Sequence, residues 1–305
     1  MLNRQYDTFI ACDAEYAESE IVLYGAPFDS TTSFRPGTRF AGRTMRGDSF
    51  GLETYSPYQD KDLLDYKVFD SGDIELPFGD PKPALAMIEA RAGAIIQDGK
   101  RPIMIGGEHL ATLGAVRAAH ARHPDLHIMH FDAHADLRED YLGQTLSHAT
   151  VMRRSWELLG DGRIHQFGIR SGEREEFAFA RHHTRMTKFG FDGLEEAIRA
   201  IGDAPVYLSI DLDVMDPSVF PGTGTPEPGG VSFAELLRAM LACGQLNIVG
   251  ADVMELSPPY DKSGISTAAA CKVLREMLLM LSGPSQPHEC LAAASEKVEV
   301  TTERG

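Results

Sequence analysis

Three short stretches of the chain carry acids and histidines whose types and spacing could bind metal ions. The first is residues 126–136, LHIMHFDAHAD, in which Asp132, His134 and Asp136 follow an apolar run at intervals of two residues. Side chains two residues apart point the same way on an extended backbone, so this spacing predicts that the three converge. Two carboxylates and an imidazole without a neighbouring Lys or Arg would repel one another, and a divalent cation would relieve that repulsion. His130 shares this face but lies deeper in the strand, and we interpret it as a core or supporting residue.

Two further stretches end in the same kinds of side chain. Asp211 and Asp213 follow the apolar run 206–210, and His109 ends the turn GGEH that follows a short strand at 102–105. The carboxyl ends of parallel strands are where ligands bind in open α/β sheets. Two imidazoles and four carboxylates are too many for one tetrahedral zinc ion. They suit two cations about 3.5–4 Å apart with bridging carboxylates. This ligand set favours Mn²⁺ and leaves Fe²⁺, Co²⁺ and Zn²⁺ open.

The elements that must position these side chains alternate along the chain. Strand-like runs alternate with helical patterns, which predicts a mainly parallel sheet covered by helices. The predicted strands are 21–27, 66–72, 102–105, 126–136, 163–170, 206–210 and 246–256, and the predicted helices include 81–97, 173–183, 194–201, 233–243 and 265–281. Because no linker interrupts this pattern, residues 1–283 are predicted to form a single catalytic domain. The polar residues 284–305 are predicted to be a disordered tail.

Composition limits the classes of function. With 305 residues, 43% of them apolar and 24% charged, the chain has a globular composition. No run approaches the roughly 18 apolar residues that span a bilayer, and the N-terminus does not resemble a signal peptide. Four widely spaced cysteines are typical of reduced thiols in the cytoplasm. The net charge of −16 argues against a nucleic-acid partner and mildly favours a cationic ligand.

The three acidic stretches resemble the signatures of the ureohydrolases, the arginase and agmatinase family. They read GGEH (106–109), DAHAD (132–136) and SIDLDVMDP (209–217), and SFRPGTRF and GLETYSPY resemble bacterial agmatinases in particular. The resemblance covers residues 21–281 and implies a three-layer α/β/α sandwich that assembles as a homo-oligomer, often a trimer or hexamer. It also implies two Mn²⁺ ions, one held by His109, Asp132, Asp136 and Asp211, and the other by His134 and Asp213 with bridging Asp132 and Asp211.

The resemblance further implies hydrolysis of a small cationic guanidino substrate. A hydroxide bridging the two metals would attack the guanidinium of agmatine and release urea and putrescine. Asp136 would pass a proton to the leaving amine, and Glu255 of DVMELSPP would hold the guanidinium. His148 would relay protons or orient the substrate tail. Arginases use an Asn two residues before this histidine to bind the substrate carboxylate, and the apolar Leu146 at that position favours agmatine over arginine.

Several alternatives remain open from the sequence. Guanidinobutyrase, arginase and formiminoglutamase activities would each need only different loop contacts. A non-catalytic, metal-binding relative would typically lose ligands, whereas all six are present together with Glu255 and His148. A deacylase on a related fold would use a single zinc ion with fewer acids, and the pair Asp211 and Asp213 argues against it.

Overall fold

The computed structural model describes residues 7–283, whose framework is an eight-stranded sheet in which every strand pairing is parallel. Apolar runs such as IVLYGA are buried along their whole length, as strands covered on both faces must be. The strands are β1 (Ile21–Ala26), β2 (Tyr55–Ser56), β3 (Lys61–Asp62), β4 (Val68–Asp73), β5 (Arg101–Gly106), β6 (His127–Phe131), β7 (Ile164–Ile169), β8 (Arg185–Lys188), β9 (Pro205–Asp211) and β10 (Asn247–Met254). The sheet has the order β4-β1-β5-β10-β9-β6-β7-β8, and β2 and β3 form a separate antiparallel pair.

Helices cover both faces of this sheet. They are α1 (Ala41–Asp48), α2 (Pro81–Gln97), α3 (Thr112–Arg122), α4 (Val151–Leu159), α5 (Arg174–His183), α6 (Leu194–Ile201), α7 (Phe233–Ala242) and α8 (Ile265–Leu281). One hydrophobic core joins the sheet to α1, α6, α7 and α8, and a second core joins it to α2, α3, α4 and α5. The predicted three-layer α/β/α architecture is therefore confirmed.

Local signals explain why several element boundaries agree with the sequence pattern. Asp80 caps α2 by accepting a hydrogen bond from the Lys82 backbone, and a proline occupies the first turn. Ser232 and Glu235 form a reciprocal capping box at the start of α7. Two elements were not predicted, namely the β2–β3 pair and β8. The sequence of β8 is RMTK at the sheet edge, which offers no apolar run to recognise.

The remaining global predictions have different outcomes. The division into one domain stays a prediction, and the predicted tail 284–305 lies outside the described residues. Within residues 7–283, no helix combines the length and hydropathy needed to cross a membrane. Three of the four cysteines, Cys12, Cys243 and Cys271, are buried free thiols.

Candidate metal centre

The predicted ligands lie at the carboxyl ends of three strands near the middle of the sheet. His109 begins a short 3-10 turn after β5, Asp132 follows β6, and Asp211 ends β9. Glu255 follows β10, which lies between β5 and β9. Because β5, β10, β9 and β6 are consecutive in the sheet, these ends meet at one edge.

Turns rather than an extended strand bring the acids together, which corrects the reasoning from the sequence. Strand β6 ends at Phe131, and Asp136 has a left-handed backbone with φ of 53°. The segment between them is fixed by hydrogen bonds to the end of β7, including Ala135 N to Ser171 O at 3.0 Å. Asp213 lies in the turn Leu212–Val214, where its backbone N–H donates to Asp211 Oδ1 at 2.9 Å. Alternation along an extended strand was therefore the wrong reason to expect Asp132, His134 and Asp136 to converge, although their side chains do lie in adjoining groups.

A first group of ligand atoms surrounds one nitrogen of His109. Its Nδ1 lies 3.0 Å from Asp132 Oδ2, 3.3 Å from Asp136 Oδ2 and 3.2 Å from Asp211 Oδ2. All four residues are buried. Three carboxylate oxygens and one imidazole nitrogen therefore face a common point.

A second group adjoins the first through Asp132. His134 Nδ1 lies 3.1 Å from Asp213 Oδ2 and 3.4 Å from Asp132 Oδ1. The side chain of His134 is 24% exposed, whereas that of Asp213 is buried. Asp132 thus offers one carboxylate oxygen to each group, which is the arrangement of a bridging ligand.

The hydrogen bonds of His109 determine which of its nitrogens is free. Its Nε2 lies 2.9 Å from Ser209 Oγ, and that hydroxyl donates to Asp252 Oδ1 at 2.7 Å. Ser209 Oγ therefore accepts from Nε2–H, and Nδ1 is the nitrogen that carries the lone pair when the ring is neutral. This Nδ1 is buried and has no hydrogen-bond partner within the described residues. A lone pair directed at three carboxylates fits a divalent cation, since metal-bound histidines commonly donate their other N–H in this way.

His130 is close to the first group but has no free nitrogen. Its Nε2–H donates to Asp132 Oδ2 at 2.9 Å, and its Nδ1 accepts from Gln166 Nε2 at 3.1 Å. Its ligand atoms nonetheless lie within 4.8 Å of those of His109, Asp132 and Asp136. Both nitrogens are in use, which agrees with a supporting residue rather than a ligand.

The raised pKa values of two of the acids, Asp211 and Asp136, indicate a shortage of positive charge around them. Burial, together with the nearby Asp213 and Asp132 carboxylates, raises the pKa of Asp211 well above its ordinary value. Burial and the Asp132 carboxylate raise the pKa of Asp136 to about 7. Burial opposes the charged form of His109, but the surrounding Asp132, Asp136 and Asp211 carboxylates raise its pKa overall. A divalent cation would supply the missing charge and favour the ionised carboxylates.

A cavity of about 280 Å³ opens above these groups. Its lining includes His109, His134, Asp136 and Asp211 together with Glu255 and His148. Glu255 Oε1 accepts a hydrogen bond from the backbone N–H of His109 at 2.7 Å. Burial, followed by the charge of Glu108, raises the pKa of Glu255. The cavity is of a size that encloses a small molecule.

His148 lies on the cavity wall as a neutral histidine. Burial lowers its pKa to about 4. Its backbone N–H and its Nδ1 both contact Thr31, at 3.1 Å from Oγ1 and 3.0 Å from the carbonyl oxygen. His148 Nε2 lies 3.4 Å from Ser33 Oγ, which also lines the cavity.

Charged side chains line the part of the cavity formed by the loop after Asp136 and the start of α5. The sequence had instead led us to expect Leu146 beside the substrate tail. Arg138 Nη1 lies 2.8 Å from Glu173 Oε1, and its Nε lies 3.6 Å from Glu176 Oε2. The Arg138 guanidinium also stacks 4.6 Å from the centre of the Tyr141 ring, and all four residues line the cavity.

Leu146 packs against the core beneath α2–α5 and is absent from the cavity lining. Its apolar side chain is therefore no evidence about the substrate tail, contrary to the reasoning from the sequence.

Several supporting residues were not identified from the sequence. Ser209 lies two positions before Asp211, and Asp252 lies three positions before Glu255. Their positions next to the motifs could have identified both as supporting residues. Glu108 belongs to the GGEH motif itself. Thr31 carried no signal, because its contact with His148 joins residues 117 positions apart.

Comparisons with known proteins agree with this geometry. The family model described as the arginase family matches residues 19–280. An agmatinase from Bacillus subtilis is 46% identical over 275 residues, which cover 89% of this chain and 95% of the relative. An agmatinase from Halalkalibacterium halodurans has the same identity and coverage. A crystal structure from Clostridium difficile, provisionally assigned as an agmatinase, has a TM-score of 0.86 and 50% identity, covering 88% of this chain and 99% of that one.

Proposed function

This chain belongs to the arginase family, and we propose that it hydrolyses the guanidinium group of agmatine to give urea and putrescine. The observation that carries this proposal is the pair of ligand groups joined by Asp132 beneath a cavity of about 280 Å³. Its similarity to bacterial agmatinases at 46% identity supports agmatine as the substrate.

We propose that the two groups hold two Mn²⁺ ions. His109, Asp132, Asp136 and Asp211 would bind one ion, and His134 and Asp213 would bind the other with help from Asp132 and Asp211. When bound, such ions lower the pKa of water enough to make it nucleophilic near neutral pH. Oxygen-rich ligation with imidazole favours Mn²⁺ over softer metals.

The protein's own groups would bind the substrate and move protons. Glu255 faces the cavity with Oε2 uncommitted to the His109 backbone, so it could accept hydrogen bonds from the guanidinium and hold it over the ligand groups. Asp136 would pass a proton to the leaving amine, since its carboxylate lines the cavity beside the ligand groups. His148 would orient the tail or relay protons through Nε2.

The charges at the Arg138 side of the cavity support a cationic substrate tail. The carboxylates of Glu173 and Glu176 both face the guanidinium of Arg138. The ion pair with Glu173 neutralises that guanidinium, which leaves the carboxylate of Glu176 in excess. The amine of agmatine would suit this surplus of carboxylates, whereas the carboxylate of arginine would be repelled. If Arg138 were released from Glu173, it could instead bind a carboxylate, and this makes 4-guanidinobutyrate the second candidate substrate.

The decisive experiment compares kcat/KM for agmatine, arginine and 4-guanidinobutyrate by urea release under identical Mn²⁺ loading. Formiminoglutamate is tested in parallel by formamide release. A buried ionic group that finds no partner is typically rejected by ~10²–10⁴-fold, so agmatine should lead arginine by that ratio. A ratio near one, or one that favours a carboxylate-bearing substrate, would contradict the agmatinase assignment. Assembly into trimers or hexamers and a cytoplasmic location stay predictions.

A further inference from the structure

Glu108 is a fully buried carboxylate to which neither the ligand groups nor the proposed catalytic steps assign a role. It accepts three hydrogen bonds from the loop that follows β1. Thr31 N–H donates to Oε2 at 2.8 Å, Thr31 Oγ1 donates to Oε1, and Thr32 Oγ1 donates to Oε2 at 3.1 Å. Residues 76 and 77 positions apart are thereby joined, so the turn after β5 anchors the loop after β1.

Thr31 connects Glu108 to His148. The Thr31 hydroxyl donates to Glu108 and accepts from the His148 backbone N–H at 3.1 Å. The Thr31 carbonyl oxygen lies 3.0 Å from His148 Nδ1, so it accepts the Nδ1–H. One threonine therefore holds both the backbone and the ring of His148. Because Nδ1 carries the hydrogen, Nε2 is left with its lone pair.

We propose that Glu108 and Thr31 form a strut that positions His148 for catalysis. This inference rests on the role for His148 in the proposed function, and it deepens that role. Glu108 and Thr31 are positioning residues, because they act through His148 and Thr31 is not part of the cavity lining. Holding a reacting group in one geometry is worth large rate factors, and misplacement by about 1 Å can cost roughly 100-fold.

The chain offers a matched pair of positions for a test. Thr31 and Thr32 both donate a side-chain hydrogen bond to Glu108, but only Thr31 also contacts His148. The variant T31V keeps the side-chain shape and removes the hydroxyl, and T31S keeps the hydroxyl. The variant T32V removes the second hydroxyl bond to Glu108 and leaves the contacts of His148 in place.

The strut predicts a specific pattern of rates with agmatine. T31V should lower kcat about 10-fold or more, with a smaller change in KM, because a misplaced His148 affects the reaction more than substrate binding. T31S should recover most of that loss, and T32V should stay within a few-fold of the wild type. Metal content per chain should be unchanged in T31V, which separates the effect from damage to the neighbouring ligand His109.

A double-mutant cycle with H148A decides whether Thr31 acts through His148. In the H148A background, T31V should change kcat by less than about twofold, since coupled residues are not additive. The strut is refuted if T31V lowers kcat by the same factor in the H148A background as in the wild type, or if T32V lowers kcat as much as T31V does. It is also refuted if either T31V or H148A alone leaves kcat unchanged. Absence of urea from agmatine in the wild type would instead refute the proposed substrate, and the same cycle is then measured on the guanidino compound that is hydrolysed.

Discussion

Two acids at the site, Asp136 and Glu255, have left-handed backbones that residues other than glycine rarely adopt. Their φ angles are 53° and 64°. Such conformations persist only where the surrounding structure fixes them, and they cluster at functional sites. The Glu255 N–H donates to Gly107 O at 3.0 Å, and Asp136 O accepts from the first turn of α4. These contacts turn both carboxylates out of the sheet and towards the cavity.

Replacing Glu255 with Gln tests whether its charge binds the substrate. The E255Q variant should keep two metal ions per chain and lose about 2–4 kcal/mol of transition-state stabilisation, as expected when one preorganised electrostatic contact is removed. The measurements are metal analysis and kcat/KM with agmatine. Glu196 on α6 is exposed and does not line the cavity, so E196Q should leave the rate unchanged. Near wild-type turnover by E255Q would contradict the role proposed for Glu255.

At the scale of elements, the two glycines of GGEH allow three strand ends to approach closely. A Cβ atom at Gly106 would overlap the side chain of Met254 at the end of β10, and one at Gly107 would overlap the backbone of Phe28 after β1. Gly107 O also receives the Glu255 N–H. The glycines therefore serve the packing that brings β1, β5 and β10 to the site.

A methyl group at Gly107 should damage the fold and the site together. Phe28 presents backbone rather than a flexible side chain, so G107A should cost about 1–3 kcal/mol of unfolding free energy, as overpacked substitutions do. It should also weaken metal binding, because His109 and Glu255 adjoin this turn. Gly47 in α1 has open space around its Cβ position, and G47A should stabilise the protein by up to about 1 kcal/mol. Chemical denaturation measures the unfolding free energy of both variants, and titration with Mn²⁺ measures their metal affinity. Equal stability and equal affinity in G107A and G47A would contradict the prediction.

The sequence pattern predicted the framework better than the supporting contacts of the site. Long periodic segments such as α2 and α8 were predicted with their observed bounds, because the apolar face of a helix places apolar residues at regular intervals in the sequence. The sequence pattern also predicted that His109, Asp132 and Asp211 converge, because the carboxyl ends of parallel strands lie at the same edge of a sheet. The turn that carries Asp136 could not be predicted from spacing, since a left-handed acid depends on tertiary hydrogen bonds. Thr31 was missed for the same reason, because its partner His148 is distant along the chain.

At the scale of the whole molecule, the metal centre should make stability depend on pH. Asp136 has a pKa of about 7, above its value of about 3.9 in an unfolded chain. Between these values the folded chain holds a proton that the unfolded chain has released, so stability without metal falls as the pH rises. The raised pKa values of His109 and His134 act in the same direction.

Bound metal ions should reverse this loss by taking the place of the protons. The difference in Tm between Mn²⁺-loaded and chelator-treated protein should therefore grow from about pH 5 to about pH 8. At metal concentrations about 100 times the dissociation constant, each site should add roughly 2.7 kcal/mol. The depressed pKa of His148 affects both samples alike and cancels in the difference. A difference in Tm that is constant or shrinks with pH would contradict the charge balance inferred for the site.

The position of β10 in the sheet has a consequence for biosynthesis. A ribosome releases this strand after the other nine, yet it pairs with β5 on one side and β9 on the other. Before then, the nascent chain can form two separate sheets, β4-β1-β5 and β9-β6-β7-β8. His109 belongs to the first, and the other five predicted ligands belong to the second. Insertion of β10 joins the two sheets and brings Glu255 with it, so we expect the ligand group that contains His109 to be complete only after β10 has emerged from the ribosome.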